Sequence, residues 1–381
     1  MPSPLRSTIA RVRTELETPR VERPIGSGWL AGTLGIVAGA TSLLMVAALR
    51  NPTLLLTPEL APLRDSAAFR PVLYLILLAG YALSSVSLVL RKNMTLGVCG
   101  MALTLASTMI GALPMHRDLM PGGGVFLGLD FFVLNVLFMG FLFVPLERLF
   151  PRRPDQVVLR EEWREDIFYY LVSSMFVQVL TYLTLAPSKA INGTNGLAWT
   201  REWVGAMPWL VQLLVIMLLT DLAQYWVHRM FHRVPALWRF HAVHHSAQSL
   251  DWIAGARMHF VEIVVLRSLT ATPMFVLGFQ ESAIQAYILV VYVYSAFIHS
   301  NVGWGFGPVE RLLVVPRFHH WHHGVEREAI DVNFAIHFPW LDRLFGTHHM
   351  PEDRWPKGYG IKGNPVPRGY WAQFLYPFRR P

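Results

Sequence analysis

Cysteine is almost absent: Cys99 is the single one in 381 residues. That excludes an intrachain disulfide, a cysteine-ligated iron–sulfur cluster and a cysteine-built zinc site. Charge is also scarce, at 15% of residues, where a soluble domain carries about 25%. With 53% hydrophobic residues and a mean hydropathy of +0.37, a disordered chain, a fibrous repeat and a disulfide scaffold are excluded. Several catalytic signatures are missing too. There is no P-loop. The stretch Gly358-Tyr-Gly360-Ile-Lys-Gly363 follows no strand and runs into Asn364-Pro365, so it is no dinucleotide site. Lacking H-E-x-x-H, the chain is a poor fit to a zincin-type protease. Lacking E-x-x-H, it is a poor fit to a carboxylate-rich di-iron bundle. The first apolar run starts too late, and is too long, for an ordinary signal peptide.

Long apolar runs are what the chain has instead. About 20 apolar residues span a bilayer. Clear runs cover 27–49, 71–90, 95–115, 124–146, 166–187 and 203–220, with weaker ones near 263–279 and 282–298. The pattern predicts an all-α, multi-pass bundle of about eight spans. Arginines flank one side: Arg6, Arg11, Arg13, Arg20 and Arg23, then Arg148, Arg152, Arg153, Arg160 and Arg164. The positive-inside rule places those segments, and with them 226–259 and 299–381, in the cytoplasm. The opposite loops, 116–123 and 188–202, hold only Arg117, Lys189 and Arg201, while 50–70 with Arg50, Arg64 and Arg70 fits less well. A formal charge of +8 on so apolar a chain points to anionic lipid headgroups. It does not point to nucleic acid, because the basic residues are scattered. Arginine outnumbers lysine 29 to 4, the mark of a GC-rich genome, and hence of a bacterial inner membrane rather than the endoplasmic reticulum. Within the fourth run, Asp130 and Asn135 are either functional, a helix–helix contact or near the membrane surface.

Histidine placement carries the chemistry. Fourteen of the 15 histidines fall between 228 and 349; His116 is the exception. His228 and His232 form H-x-x-x-H. His241, His244 and His245 form H-x-x-H-H, as do His319, His322 and His323. His299 stands alone at the end of the last run. Residues at i, i+3 and i+4 share a helix face, so each group aims its imidazoles one way. Nine donors are too many for one ion and suit two, although imidazole alone does not choose among Fe, Zn, Cu and Ni. His320 points off the shared face, His348 and His349 suit an interface, and His259 and His337 suit supporting or substrate-facing places.

These boxes, His299-Ser-Asn and the tail Trp340-Leu-Asp342-Arg-Leu-Phe345-Gly346-Thr347 resemble the fatty acid hydroxylase/sterol desaturase superfamily over roughly 205–350. Two details depart from it: Asn333-Phe334-Ala335 stands where Asn-Tyr-Gly is common, and Ser295 stands where some members have a further histidine. The resemblance implies a membrane-bound non-haem di-iron oxygenase. Its metal ligands would be His228, His232, His241, His244, His245, His299, His319, His322 and His323. It would use O2 as co-substrate to hydroxylate an unactivated lipid C–H bond, with zinc as an adventitious occupant. Asp221, seven residues before His228 on the same face, is the best candidate to orient an imidazole, followed by His259 and Asn333, with Asp251, Glu262 and Asp331 weaker. Trp226, Trp238, Trp252 and Trp321 suit a lipid channel or an interfacial belt. Without a redox module of its own, the chain needs an external donor, a ferredoxin or a cytochrome b5-like protein with its reductase. Arg148 to Arg164, Arg229, Arg233 and Arg239 offer that donor a basic surface. The expected division is a tail at 1–26, a membrane region at 27–200, a catalytic domain at 201–350 and a tail at 351–381. The rivals are a desaturase with the same site, a zinc hydrolase and a metal transporter.

Overall fold

The computed structural model describes residues 4–17, 26–112, 126–157, 160–192, 197–352 and 354–379. Arg20, Arg23, His116 and Arg117 lie outside them. The described chain is helical, with two isolated bridges and no strand. Its main helices are α1 (Pro4–Leu16), α2 (Trp29–Arg50), α3 (Phe69–Leu90), α4 (Thr95–Ala112), α5 (Leu129–Leu149), α6 (Trp163–Met175), α7 (Val177–Asn192), α8 (Trp209–Arg233), α9 (Pro235–His245), α10 (Phe260–Val276), α11 (Glu281–His299) and α12 (Pro316–His322). The protein is an all-α membrane protein. Five of these helices are long and apolar enough to cross a bilayer, within α2, α3, α5, α8 and α11. The sixth run, 166–187, is two helices, α6 and α7, bent by 66°. Two further runs are shorter among the described residues. The apolar part of α4 covers Thr95–Gly111, with 113–115 of its run lying outside them, and α10 has 17 residues, about 25 Å of helix against a hydrocarbon core of about 30 Å.

The chain divides into two compact units: Met1–Leu137 with Ser174–Gln178, and Phe138–Ser173 with Val179–Pro381. In the first, α2, α3 and α4 touch backbone to backbone through small residues. A Cβ on Gly35 would lie 2.6 Å from Ser84 Oγ, the close approach that drives helix pairing in lipid. Asp130 is a contact residue of this unit. Its carboxylate accepts from Thr57 N–H at 3.0 Å, Thr57 Oγ1 at 2.8 Å and Arg64 Nη1 at 3.1 Å.

In the second unit α8 is the axis. Its 25 residues make about 37 Å, longer than a hydrocarbon core, so its last turns carry His228 and His232 beyond the apolar layer. Midway, Ile216 packs with Ala271, Met274, Ala283, Ile284 and Tyr287 of α10 and α11. Nearer the histidines, Tyr225, Ile298, Val315, Phe318, Phe334 and Leu341 form a second core. Each such side chain contributes roughly 1.5–3 kcal/mol by burial, which fixes α12 against the ends of α8 and α11.

Candidate metal centre

Four chain segments converge. After α8 the chain turns at Val234, and Pro235 starts α9, where its missing N–H leaves nothing unsatisfied. The last turns of α9 carry His241, His244 and His245. His299 ends α11, and α12 carries His319 and His322, with His323 as its C-cap. Their ring nitrogens gather into two groups. His228, His232, His241, His245 and His322 form one, and His244, His299, His319 and His323 the other, each within 4.8 Å. All nine residues named by spacing are here. His320 is not: its Nδ1 lies 2.7 Å from Tyr359 Oη and its Nε2 3.1 Å from the Ser300 carbonyl. His337, His348 and His349 also lie outside both groups.

The outer nitrogens show what the inner ones must be. His228 Nδ1 lies 2.9 Å from the Phe334 carbonyl, His244 Nδ1 3.0 Å from that of Arg257, His299 Nδ1 2.6 Å from that of Ser295, and His322 Nδ1 2.8 Å from that of Val332. A carbonyl only accepts, so in these four rings Nδ1 carries the proton and Nε2 presents a lone pair. Yet His244 Nε2 and His299 Nε2 face each other at 3.3 Å, both buried. Two lone pairs at that distance repel unless a cation lies between them. His232 Nε2 is buried with no hydrogen-bond partner among the described residues. Burial also pulls His241, His244, His245, His319, His322 and His323 well below the usual histidine range, with the neighbouring imidazoles adding to it. The set is therefore neutral, the form that binds metal. These donors fit two cations.

Carboxylates support two rings. Glu262 Oε1 accepts from His241 Nδ1 at 2.6 Å, and Asp331 Oδ1 lies 3.3 Å from His232 Nδ1. Burial alone pushes the Glu262 carboxyl up to about 8; cations at the histidines would hold it ionised. Gly255 passes so close that a Cβ there would lie 2.9 Å from His299 Nδ1.

Glu262 and Asp331 are among the weaker candidates to orient an imidazole; the leading ones, Asp221, His259 and Asn333, act otherwise. Asp221 accepts the N–H groups of Ile336, His337 and Phe338 at 2.8, 3.1 and 2.7 Å. It lies on the face expected, but holds a loop rather than an imidazole. Asn333 does similar work. At φ 59° it takes the left-handed conformation that Asn tolerates, and its amide donates to the Phe318 and His349 carbonyls. Asp342, which sequence reasoning placed only in a tail motif, accepts from the N–H groups of Phe334 and Ala335. Together the three shape the loop that presents the Val332 and Phe334 carbonyls. His259 caps α10 through Val261 N–H. Asp251 pairs with Arg160 at 2.8 Å, and Asp166 with both Arg160 and Arg257. Arg160 is therefore buried, not part of a basic surface. Trp238 lies tilted against His232 and His245, Trp252 stacks beside Phe143, Trp321 is fully buried and Trp226 is exposed.

The fatty acid hydroxylase family profile matches residues 213–347, the stretch that holds all nine histidines. Over 241 residues the chain is 32% identical to the ornithine lipid hydroxylase OlsE of Rhizobium tropici, covering 61% of this chain and 71% of that one. The chain belongs to the fatty acid hydroxylase family. This family member is also similar to the alkylglycerol monooxygenase of Homo sapiens, at 28% identity over 158 residues, 42% of this chain and 33% of that protein. It is 26% identical over 225 residues to a Delta(7)-sterol 5(6)-desaturase of Aspergillus fumigatus, 52% of this chain and 65% of that one. No solved structure matches. The protein is an oxidoreductase, of the monooxygenase or desaturase kind.

Proposed function

We propose that this family member is a di-iron oxygenase that hydroxylates an unactivated C–H bond of a membrane lipid with O2 and electrons from a separate protein. The observation that carries the reading is the facing pair of lone-pair nitrogens on His244 and His299, one instance of nine imidazoles turned inward. The two groups would hold one iron each, through His228, His232, His241, His245 and His322, and through His244, His299, His319 and His323. Bound there, the irons supply O2 activation and C–H oxidation, which no side chain provides. The protein's part is different. Backbone carbonyls fix the tautomers, and Glu262 and Asp331 place negative charge beside an otherwise neutral set. Tight burial keeps bulk water from the inner nitrogens. The metal-uptake reading fits this less well, since transporter sites sit near the midplane of several spans.

The relatives support a lipid substrate. The exposed Arg233 and the absence of cysteine for an iron–sulfur cluster favour an outside donor, a ferredoxin or a cytochrome b5-like protein. We read 201–350 as the catalytic domain, 27–200 as a membrane region, and the centre as facing the cytoplasm of a bacterial inner membrane. A desaturase is the second reading, favoured by the sterol desaturase relative. Turnover of a lipid extract under 18O2 separates them: a labelled hydroxyl is expected, whereas an unlabelled olefin would favour the desaturase.

A further inference from the structure

Within the apolar stretch 263–279 of this chain there is one charged residue, Arg267. A cation in such a segment is a functional candidate by default. Its neighbours at i−4, i+4 and i+7 are Ile263, Ala271 and Met274, and all three are buried against the bundle. Arg267 thus stands in the middle of the inward face of α10. Its own side chain is nevertheless exposed. Opposite it, α11 has no fully buried residue from Val290 to Ser295, although residues on both sides of that stretch are buried.

The guanidinium has no carboxylate partner and no hydrogen bond among the described residues. Its electrostatic neighbour is Tyr292 of α11, and the Tyr292 hydroxyl pairs with that of Tyr170 on α6. A long arginine that merely reaches for headgroups would sit on an outward face or at a helix end. Arg267 does neither, being the eighth of 17 residues and turned inward. The level is also telling. Glu262, which holds His241, lies five residues back along α10, and His299 lies seven residues beyond Tyr292 along α11. Those separations are about 7 and 10 Å of helix.

We propose that Arg267, with the Tyr170 and Tyr292 hydroxyls, binds the acidic group of the lipid that the oxygenase site acts on, a carboxylate or a phosphate monoester. This rests on the lipid-oxygenase reading and narrows it. A planar guanidinium matches either anion through two parallel N–H donors. Lipids without an acidic group are then poor substrates. Because the cation lies within about 10 Å of the histidines along the helices, the oxidised carbon lies toward the acidic end of a long acyl chain, not at its methyl end.

The test uses the full iron-loaded chain in detergent with three probes: N-oleoylglycine, its methyl ester, and dioleoyl phosphatidic acid. Equilibrium retention of radiolabelled probe gives affinity, and mass spectrometry gives the oxidised position. The wild type is expected to bind at least one acid about tenfold or more tighter than the ester, the size of one charge-assisted hydrogen bond. The preferred acid identifies carboxylate or phosphate as the recognised group. R267Q should bring the acid-to-ester ratio near one, and R267K should keep most of it. Equal binding of acids and ester by the wild type, which needs no variant to fold, would overturn the proposal, as would an unchanged ratio in R267Q. Binding of an acid that depends on Arg267 but yields no O2-dependent product would retain this site and overturn the oxygenase reading. Equal oxidation of ester and acid would do the reverse.

Discussion

A buried imidazole has two nitrogens to satisfy, and in His228, His232, His241, His244, His299 and His322 the fold partners one side while the other is left facing inward. That division makes the histidines unequal under substitution. His244→Ala or His322→Ala removes an inward nitrogen, and iron per protein should fall with most of the activity while the chain still inserts in membranes. His320 is as buried, but its nitrogens face Tyr359 and the carbonyls of His299 and Ser300. His320→Ala should keep both irons and lose about 1–3 kcal/mol of stability, from the partners left unsatisfied. Elemental analysis beside thermal unfolding checks both; full iron content in His322→Ala would contradict the assignment. The nine inward histidines were legible because i, i+3 and i+4 spacing encodes a shared face. Their outer partners were not. Four of these are backbone carbonyls, such as Phe334 to His228, which any residue type presents and which only the tertiary fold brings near.

At the level of elements, the 331–338 loop does the least visible work. Asp221 reaches it from α8, Asp342 and Asn333 from its own side, and none of the three touches a ligand ring. Asp221→Ala leaves three backbone N–H groups without their acceptor, a cost of about 3 kcal/mol or more. The variant should unfold at lower temperature and also bind iron more weakly, because the loop holds His228 and His322 through its carbonyls. A stability loss with unchanged iron affinity would show that the loop does not position the ligands. The helix-face argument found the right side of Asp221 but not the partner, since a carboxylate accepts from an N–H as readily as from an imidazole. Hydropathy located the helices well and their breaks poorly. The run 166–187 reads as one span, yet it bends by 66° after Met175 with no proline or glycine there to announce it.

For the whole molecule, the claims are sidedness and metal. Gln248 lies exposed three residues past His245. In a C99S background, Gln248→Cys should react with a membrane-impermeant thiol reagent only once the cytoplasmic side is opened; labelling of intact cells would reverse the orientation. The proposed sidedness rests only on arginine counts, and Arg160, one of those counted, is buried in an ion-pair network instead. Metal identity was not legible at all, because imidazole binds zinc at least as well as ferrous iron, and zinc has no redox chemistry. The most direct measurement is therefore reconstitution of metal-depleted protein with Fe(II) or Zn(II), supplied with O2, a reductant system and a lipid extract. The expected result is about two irons per chain, one for each histidine group, with turnover that needs iron, O2 and reductant together. Turnover with zinc and without reductant would contradict the oxygenase account.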